Sequence, residues 1–318
     1  MTGFGSKAFT DPDDVFSNLL DADVGLVVTD GVSFGAQMSW LDMRCLRLRI
    51  FSEEAPRVAF ISLPSALLFV SFPLTDSPAL LCNGVRLRRG DLVLHAPGDR
   101  FHQRTTGAAR WGLISIAPRD LANYGWALLD RELRPGATRL LRPSPHCSAE
   151  LLRLHVQAGR LAHTRPKLLA RREVSRALEQ ELIHALVTAL GTGKPAAHPE
   201  AWRRPAEIMS RFEGALAHGP AQQLPALCAE IGVPARTLRV YCTAYLGCSP
   251  LEYAKLRRLN LARSALLKAD HTMTRVAEIA RSHGFSQPGR FAVAYRGLFG
   301  EAPLATLLRP RFISAESA

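Results

Sequence analysis

The chain is poor in lysine: only five of its 40 basic residues are lysine, and the other 35 are arginine. It also lacks a long apolar run. The greasiest stretch, residues 58–74, holds two prolines and three serines. No segment therefore reaches the roughly 18 uncharged apolar residues that a membrane span needs, and no membrane association is expected. No apolar stretch follows Lys7, which speaks against a secretory signal and makes the cytoplasm the expected location. Cysteine is sparse. Cys45, Cys82, Cys147, Cys228, Cys242 and Cys248 form no CxxC pair, and no Cys/His cluster has zinc-finger spacing. They read as small buried hydrophobes of a reducing compartment. His95 and His102 flank a turn with no His-x-His and no following Glu, which argues against a metal-dependent enzyme. No catalytic residue, metal ligand or cofactor is expected.

What is there is globular. With 318 residues, 47% of them hydrophobic, the chain has material for two cores. The net charge of +12 suggests a polyanionic partner, most simply nucleic acid. Residues 205–318 hold 14 basic and 8 acidic residues, whereas residues 1–190 hold 23 and 19, so positive density is higher after residue 204.

Two periodicities divide the chain. Over about 40–118, short apolar or alternating runs (Cys45–Phe51, Val58–Leu63, Ala66–Phe72, Val85–Arg89, Leu92–His95) are broken by Gly90-Asp91 and Pro97-Gly98-Asp99. That pattern predicts an antiparallel β-barrel or jelly roll. From about 148 to 190 the period becomes helical. Leu168, Leu169, Val174, Leu178, Leu182, Ile183, Leu186 and Leu190 make an apolar stripe suited to covering the barrel or to pairing with a second copy. Residues 191–204 (Gly-Thr-Gly-Lys-Pro at their start) have no period and read as a linker. The overall expectation is an α+β chain: a β-rich region with flanking helices over 1–190, able to pair with a second copy, then an all-α domain over 205–310.

That last region repeats itself. Leu227-Cys228-Ala-Glu-Ile-Gly232 is followed by Leu238, Cys242, Gly247 and Pro250. Ile279-Ala280-Arg-Ser-His-Gly284 is followed by Phe291, Tyr295, Gly300 and Pro303. The offset is 52 residues for the first glycine pair and 53 for the later positions. Each copy reads as a helix, a tight turn closed by glycine, and a second helix whose inward residues are four apart. Between the copies, Ser249-Pro250-Leu251-Glu252 is a capping box that opens a connecting helix to about Ala269. Such a helix would hold two recognition helices apart by about one DNA turn, roughly 34 Å.

Residues 205–310, and above all Val276–Pro303, resemble the DNA-binding domain of the AraC/XylS family of bacterial transcription regulators. Residues 85–99, with their Gly-Asp-Leu-Val-Leu rhythm, are more weakly similar to that family's cupin-like regulatory domain. The resemblance implies a double helix-turn-helix regulator, an activator, with promoter DNA and RNA polymerase as partners, a homodimer, and a small-molecule effector. It implies that Arg236 and Arg239 on the first recognition helix, and Gln287, Gly289, Arg290 and Val293 on the second, face bases or phosphates. Pro288 and Gly289 stand where many relatives carry polar readers, so the second helix is expected to read fewer bases.

One further cluster concerns the effector. If Arg100–Arg104 is a strand, Arg100, His102 and Arg104 share a face suited to an anion. The spacing is similar to the RxxxR motif of cyclic-di-GMP receptors, and the same spacing recurs at Arg172 and Arg176. Trp111 is placed to stack on a planar ligand or to fill the core. Three rival readings stand beside this one. They are an apolar barrel pocket for a small metabolite, a ligand-independent regulator controlled by a partner, and a DNA-repair alkyl acceptor, for which Cys45, Cys82 and Cys147 are too scattered.

Overall fold

The computed structural model describes residues 3–10, 22–30, 34–133, 136–196, 199–217 and 223–309. Strands β1 (Gly3–Phe9), β2 (Asp23–Val28), β3 (Ala36–Asp42), β4 (Leu46–Glu53), β5 (Arg57–Ser62) and β6 (Leu68–Pro73) come first. They are followed by β7 (Leu80–Cys82), β8 (Val85–Arg86), β9 (Leu92–His95), β10 (Arg100–Thr105) and β11 (Ala109–Ile116). Then come α1 (Pro118–Leu129), β12 (Arg139–Arg142), α2 (Pro145–Thr164), α3 (Pro166–Leu169), α4 (Arg172–Thr192) and β13 (Lys194–Pro195). From there the chain is helical: α5 (Pro199–Ala217), α6 (Leu224–Ile231), α7 (Ala235–Leu246), α8 (Pro250–Lys268), α9 (Val276–Ser282), α10 (Pro288–Phe299) and α11 (Pro303–Leu307).

The strands form two antiparallel sheets rather than one closed barrel. One has the order β1-β3-β4-β11-β6-β9-β12-β13 and the other β2-β5-β10-β7-β8. The sandwich is wider than the expected 40–118, because β1 and β2 precede that range and β12 and β13 extend it. The stretch expected as a linker is partly built in. Thr192 ends α4, Lys194 and Pro195 pair with β12, and Pro199 already opens α5. Edge pairing satisfies backbone groups there, with Ala196 N–H donating to Leu140 O.

Alternation along the strands assigns the faces. On β11, Trp111 and Leu113 point between the sheets, while Ile114 and Ile116 meet the helices. The larger sheet is thus buried on both sides. The space between the sheets is filled by Phe51, Phe69, Phe101 and Trp111, with Phe51 and Trp111 stacked 4.0 Å apart. Among them sits a fully buried ion pair. The Arg57 guanidinium donates to both Glu53 carboxylate oxygens (3.0 and 3.1 Å), to Gln103 Oε1 (2.6 Å) and to Gln103 O (2.9 Å). Bidentate geometry with the remaining donors satisfied is what makes a buried pair tolerable.

The stripe on α4 is spent inside the chain. Leu182, Ile183, Leu186, Val187 and Leu190 are buried in the core formed by the outer face of the larger sheet with α1 and α2. These five residues of the stripe are thus covered by the chain's own sheet and helices, while Leu168, Val174 and Leu178 are half-buried. α2 carries His155, fully buried, with its Nε2–H directed at Arg49 O (3.0 Å). Burial pushes its pKa down to about 4, the hydrogen bond only partly opposing this.

A histidine held neutral in the fold binds no proton until well below its unfolded pKa of about 6.5. Its stabilisation is complete above about pH 6.5 and is lost as pH falls toward 4, because the unfolded chain takes up the proton first. Between pH 7 and 5 this site contributes a loss of about 2 kcal/mol. Urea unfolding at the two pH values should show a smaller drop for His155→Gln than for the unsubstituted chain.

Candidate nucleic-acid interface

The two repeat copies fold as the spacing dictates. Gly232 and Gly284 have φ of +74° and +77°, the left-handed turn that glycine adopts without a Cβ clash. Leu238 and Cys242 on α7, and Phe291 and Tyr295 on α10, are buried, which fixes the opposite face of each helix toward solvent. Ala280 is fully buried, whereas its counterpart Cys228 is half-buried. The capping box is present: Ser249 Oγ accepts from Glu252 N–H at 3.3 Å, and Glu252 Oε2 accepts from Ser249 N–H at 3.5 Å. The connecting helix α8 spans 19 residues, about 28 Å at 1.5 Å per residue.

All six residues assigned to base or phosphate contact lie on the open faces. Arg236 and Arg239 are exposed on α7; Gln287, Gly289, Arg290 and Val293 are exposed at the start and along the outer face of α10. Val293 is 76% exposed and Val240, which sequence reasoning did not single out, is 57% exposed. Solvent-facing valines on such helices suit contact with a thymine methyl group. Arg296 also faces solvent one turn beyond Arg290 and Val293. Other arginines of this region are structural. Arg258 donates to Gly284 O (3.0 Å) and covers the Phe285 ring at 5.0 Å. Arg263 covers Phe299 at 4.8 Å and faces Glu301 at 3.6 Å. These contacts fasten the second repeat to α8.

The cationic face of β10 is not open as a unit. Arg100, His102 and Arg104 do point the same way, but that face lies against the C-terminal helices. His102 is 2% exposed, with its Nε2 2.9 Å from Glu213 Oε1 of α5, and its ring is flanked by Phe60 and by the edge of Tyr245. Tyr253 Oη donates to the same Glu213 oxygen at 2.7 Å. Arg104 is pressed against Gly247, where a Cβ would overlap its guanidinium, and burial lowers its pKa. Gly247 has φ of +80°, the conformation that favours glycine, and the absence of a Cβ leaves room for the Arg104 guanidinium beside it. Of the three, only Arg100 remains exposed. Trp111 belongs to the larger sheet and is 1% exposed, between the two sheets. The four residues proposed as one effector pocket are thus divided among a cleft, an interface and a core.

That interface was invisible in the sequence. Val27 and Val58, on the outer face of the smaller sheet, pack with Ile208, Met209 and Phe212 of α5 and with Leu238 and Cys242 of α7. Asn260 of α8 brackets the edge strand β2: its Oδ1 accepts from Val28 N–H (3.0 Å) and its Nδ2 donates to Val28 O (3.1 Å). Glu213 and Asn260 look like ordinary polar helix positions, and no local spacing marks them.

Among the described residues no three metal-ligating side chains come together. Burial raises the thiol pKa of Cys45, Cys82 and Cys242, and pushes that of Cys248 to about 11, so none of these is a ready thiolate at neutral pH.

Removing the Glu213 carboxylate strands the His102 ring and the Tyr253 hydroxyl in a dry interface. Glu213→Ala should cost about 3 kcal/mol in urea unfolding, in line with the loss of one partner from a buried network.

Residues 227–309 match a family model described as a helix-turn-helix domain. Over 73 residues the chain is 41% identical to the probable thc operon regulatory protein of Rhodococcus erythropolis, covering 23% of this chain and 22% of that one. Over 72 residues it is 35% identical to the XylDLEGF operon transcriptional activator 2 of Pseudomonas putida, covering 23% and 46%. The chain therefore spans between about a fifth and a half of the length of these relatives. Among solved structures, a probable AraC family transcriptional regulator from Rhodopseudomonas palustris CGA009 is similar at 34% identity, covering 33% of this chain and 97% of that one, with a TM-score of 0.30. The AraC-like transcriptional activator CuxR is similar at 15% identity over 82% of this chain and 95% of that one, with a TM-score of 0.43. No helix among the described residues is long and apolar enough to cross a membrane. With its matched repeat, glycine-closed turns and outward recognition faces, the C-terminal part of this chain is a helix-turn-helix domain similar in sequence to those of these operon regulators.

Proposed function

We propose that this chain is a sequence-specific DNA-binding transcription regulator, an activator, with no reaction of its own. The observation that carries this is the tandem pair of helix-turn-helix units, each turning a basic or polar helix face to solvent while its opposite face is locked in the core. Arg236 and Arg239 would take guanine edges or phosphates, and Gln287 and Arg290 would supply the long polar side chains of the second helix. Gly289 and Val293 would permit close approach and meet methyl groups. Residues 205–310 are the DNA-binding domain in this reading, and residues 1–190 are the regulatory part. RNA polymerase is the partner at the promoter, the cytoplasm is the site of action, and a second copy of the chain assembles with the first.

The regulatory part is read as responsive to an anionic small molecule, cyclic-di-GMP being the notable candidate. Support for it narrows to Arg100, because His102 is paired with Glu213 and Arg104 is half-buried against Gly247. An effector favouring one arrangement of the sandwich on the helices would change DNA affinity by population shift. The aromatic filling around Trp111 leaves the apolar-pocket reading without support.

The full chain should retard promoter fragments in gel shifts. If about six phosphates are contacted, affinity should fall on the order of a thousandfold between 50 and 200 mM salt. No retardation of any fragment occupied in the cell would overturn the reading. Alanine at Arg236 or Arg239 should cost about 1–3 kcal/mol and relax preference at one or two base pairs if that arginine reads a base. A uniform weakening across all sequences would reassign it to phosphate.

A further inference from the structure

The turn between β9 and β10 and one face of α5 enclose a cleft of about 830 Å³ at the boundary of the two halves. The sandwich wall includes Asp99, Arg100 and Thr138; the helix wall includes Arg203, Glu207 and Arg211, spaced to lie on one side of α5. A volume of this size is that of an organic ligand, not of a single ion.

The charges in the cleft are unequally spent. Asp99 is engaged by the Thr138 hydroxyl and faces His95 Nδ1 at 3.8 Å; although burial opposes it, the nearby His95 ring and the Thr138 hydrogen bond hold its carboxyl below the usual range. Glu207 accepts from Arg203 Nε at 3.0 Å. Arg100 and Arg211 remain, one on each wall, and among the described residues neither meets a carboxylate. Arg100 and Arg211 thus line a common space from opposite halves of the chain, in a lining whose three arginines outnumber its two carboxylates. Guanidinium forks prefer phosphate, which they bind bidentately. We infer that the interdomain cleft binds a phosphorylated organic molecule of nucleotide size, bridging Arg100 of the sandwich and Arg211 of α5.

This rests on the reading of the chain as an effector-responsive regulator and names where the effector acts. The site is not the same-strand arginine pair that the sequence suggests, since Arg104 takes no part. Its second cation comes from the helix that also carries Glu213, two residues on, and Phe212, which packs on α6 and α7. Occupancy therefore ties the sandwich to the first helix-turn-helix and stabilises the docked arrangement by mass action.

Calorimetry on the full chain at low and moderate salt tests this, with cyclic-di-GMP, GDP and inorganic phosphate as probes. At least one nucleotide should bind at one site per chain. Arg100→Ala and Arg211→Ala should each weaken it about tenfold or more, as expected for one lost charge-assisted contact. Arg88→Ala, on a different face, should leave it unchanged. Both arginines are exposed, so an unaltered melting temperature without probe will show that the variants are folded. No heat from either nucleotide overturns the proposal. So does binding that both alanine variants retain, or inorganic phosphate binding as tightly as the nucleotides. Gel shifts without any probe keep the two readings apart: nucleotide binding by a chain that retards no DNA would sink the regulator and leave the cleft.

Discussion

A single buried carboxylate, that of Glu213, joins the two halves of this protein. It lies on a helix of the C-terminal part, accepts from Tyr253 on the next long helix, and meets His102 from the outer face of the smaller sheet. A carboxylate taken out of water is tolerated only when its lone pairs and charge are matched, so Tyr253, His102 and the Arg257 guanidinium, 3.7 Å from its other oxygen, must be held beside it together. Holding them there positions α5 on the sheet. It also places the C-terminal end of α7 against Arg104, and leaves the recognition face of α7 directed away from the sandwich. The paired amide of Asn260 on Val28 repeats the arrangement at the sheet edge, so the orientation does not hang on one contact.

Arginine is used in three physically different ways. Arg57 is an interior residue, with donors satisfied by Glu53 and Gln103, and it fills volume beside Trp111. Arg258 and Arg263 use their planar faces on phenylalanine rings and so act as packing residues of the second helix-turn-helix. Arg236, Arg239 and Arg290 extend into solvent from helices whose other faces are buried. Net charge indicates the polyanionic partner but cannot distribute these roles, because the distribution depends on which side of each element is covered.

The C-terminal fold was legible almost residue by residue. Gly232 and Gly284 declare the turn through backbone conformation. Leu238, Cys242, Phe291 and Tyr295 declare the buried side through spacing, and Ser249 with Glu252 declares where the connecting helix starts. All of these are local signals, and local geometry carries them unchanged into the structure. The sandwich was legible in kind but not in extent. β1 and β2 lie far from the strands they pair with, and β13 adds to an edge that only the folded sheet provides. The α4 stripe was correctly helical, but amphipathicity cannot say whether an apolar face meets its own sheet or another molecule; here the sheet covers it.

The effector residues mark the limit. Period two placed Arg100, His102 and Arg104 on one face of β10, and that much came from the sequence alone, as did the two helix-turn-helices and the faces their recognition helices expose. Tertiary structure decided that the same face of β10 is closed over His102 and Arg104 and open at Arg100, that Trp111 belongs to the core, and that Arg211, more than a hundred residues away in the chain, stands across a cleft from Arg100. The reason is the range of the interactions. Turn conformation, capping and helix periodicity act over a few residues and are written where they act. A buried carboxylate and an unpaired guanidinium acquire their meaning only from what the folded chain brings beside them.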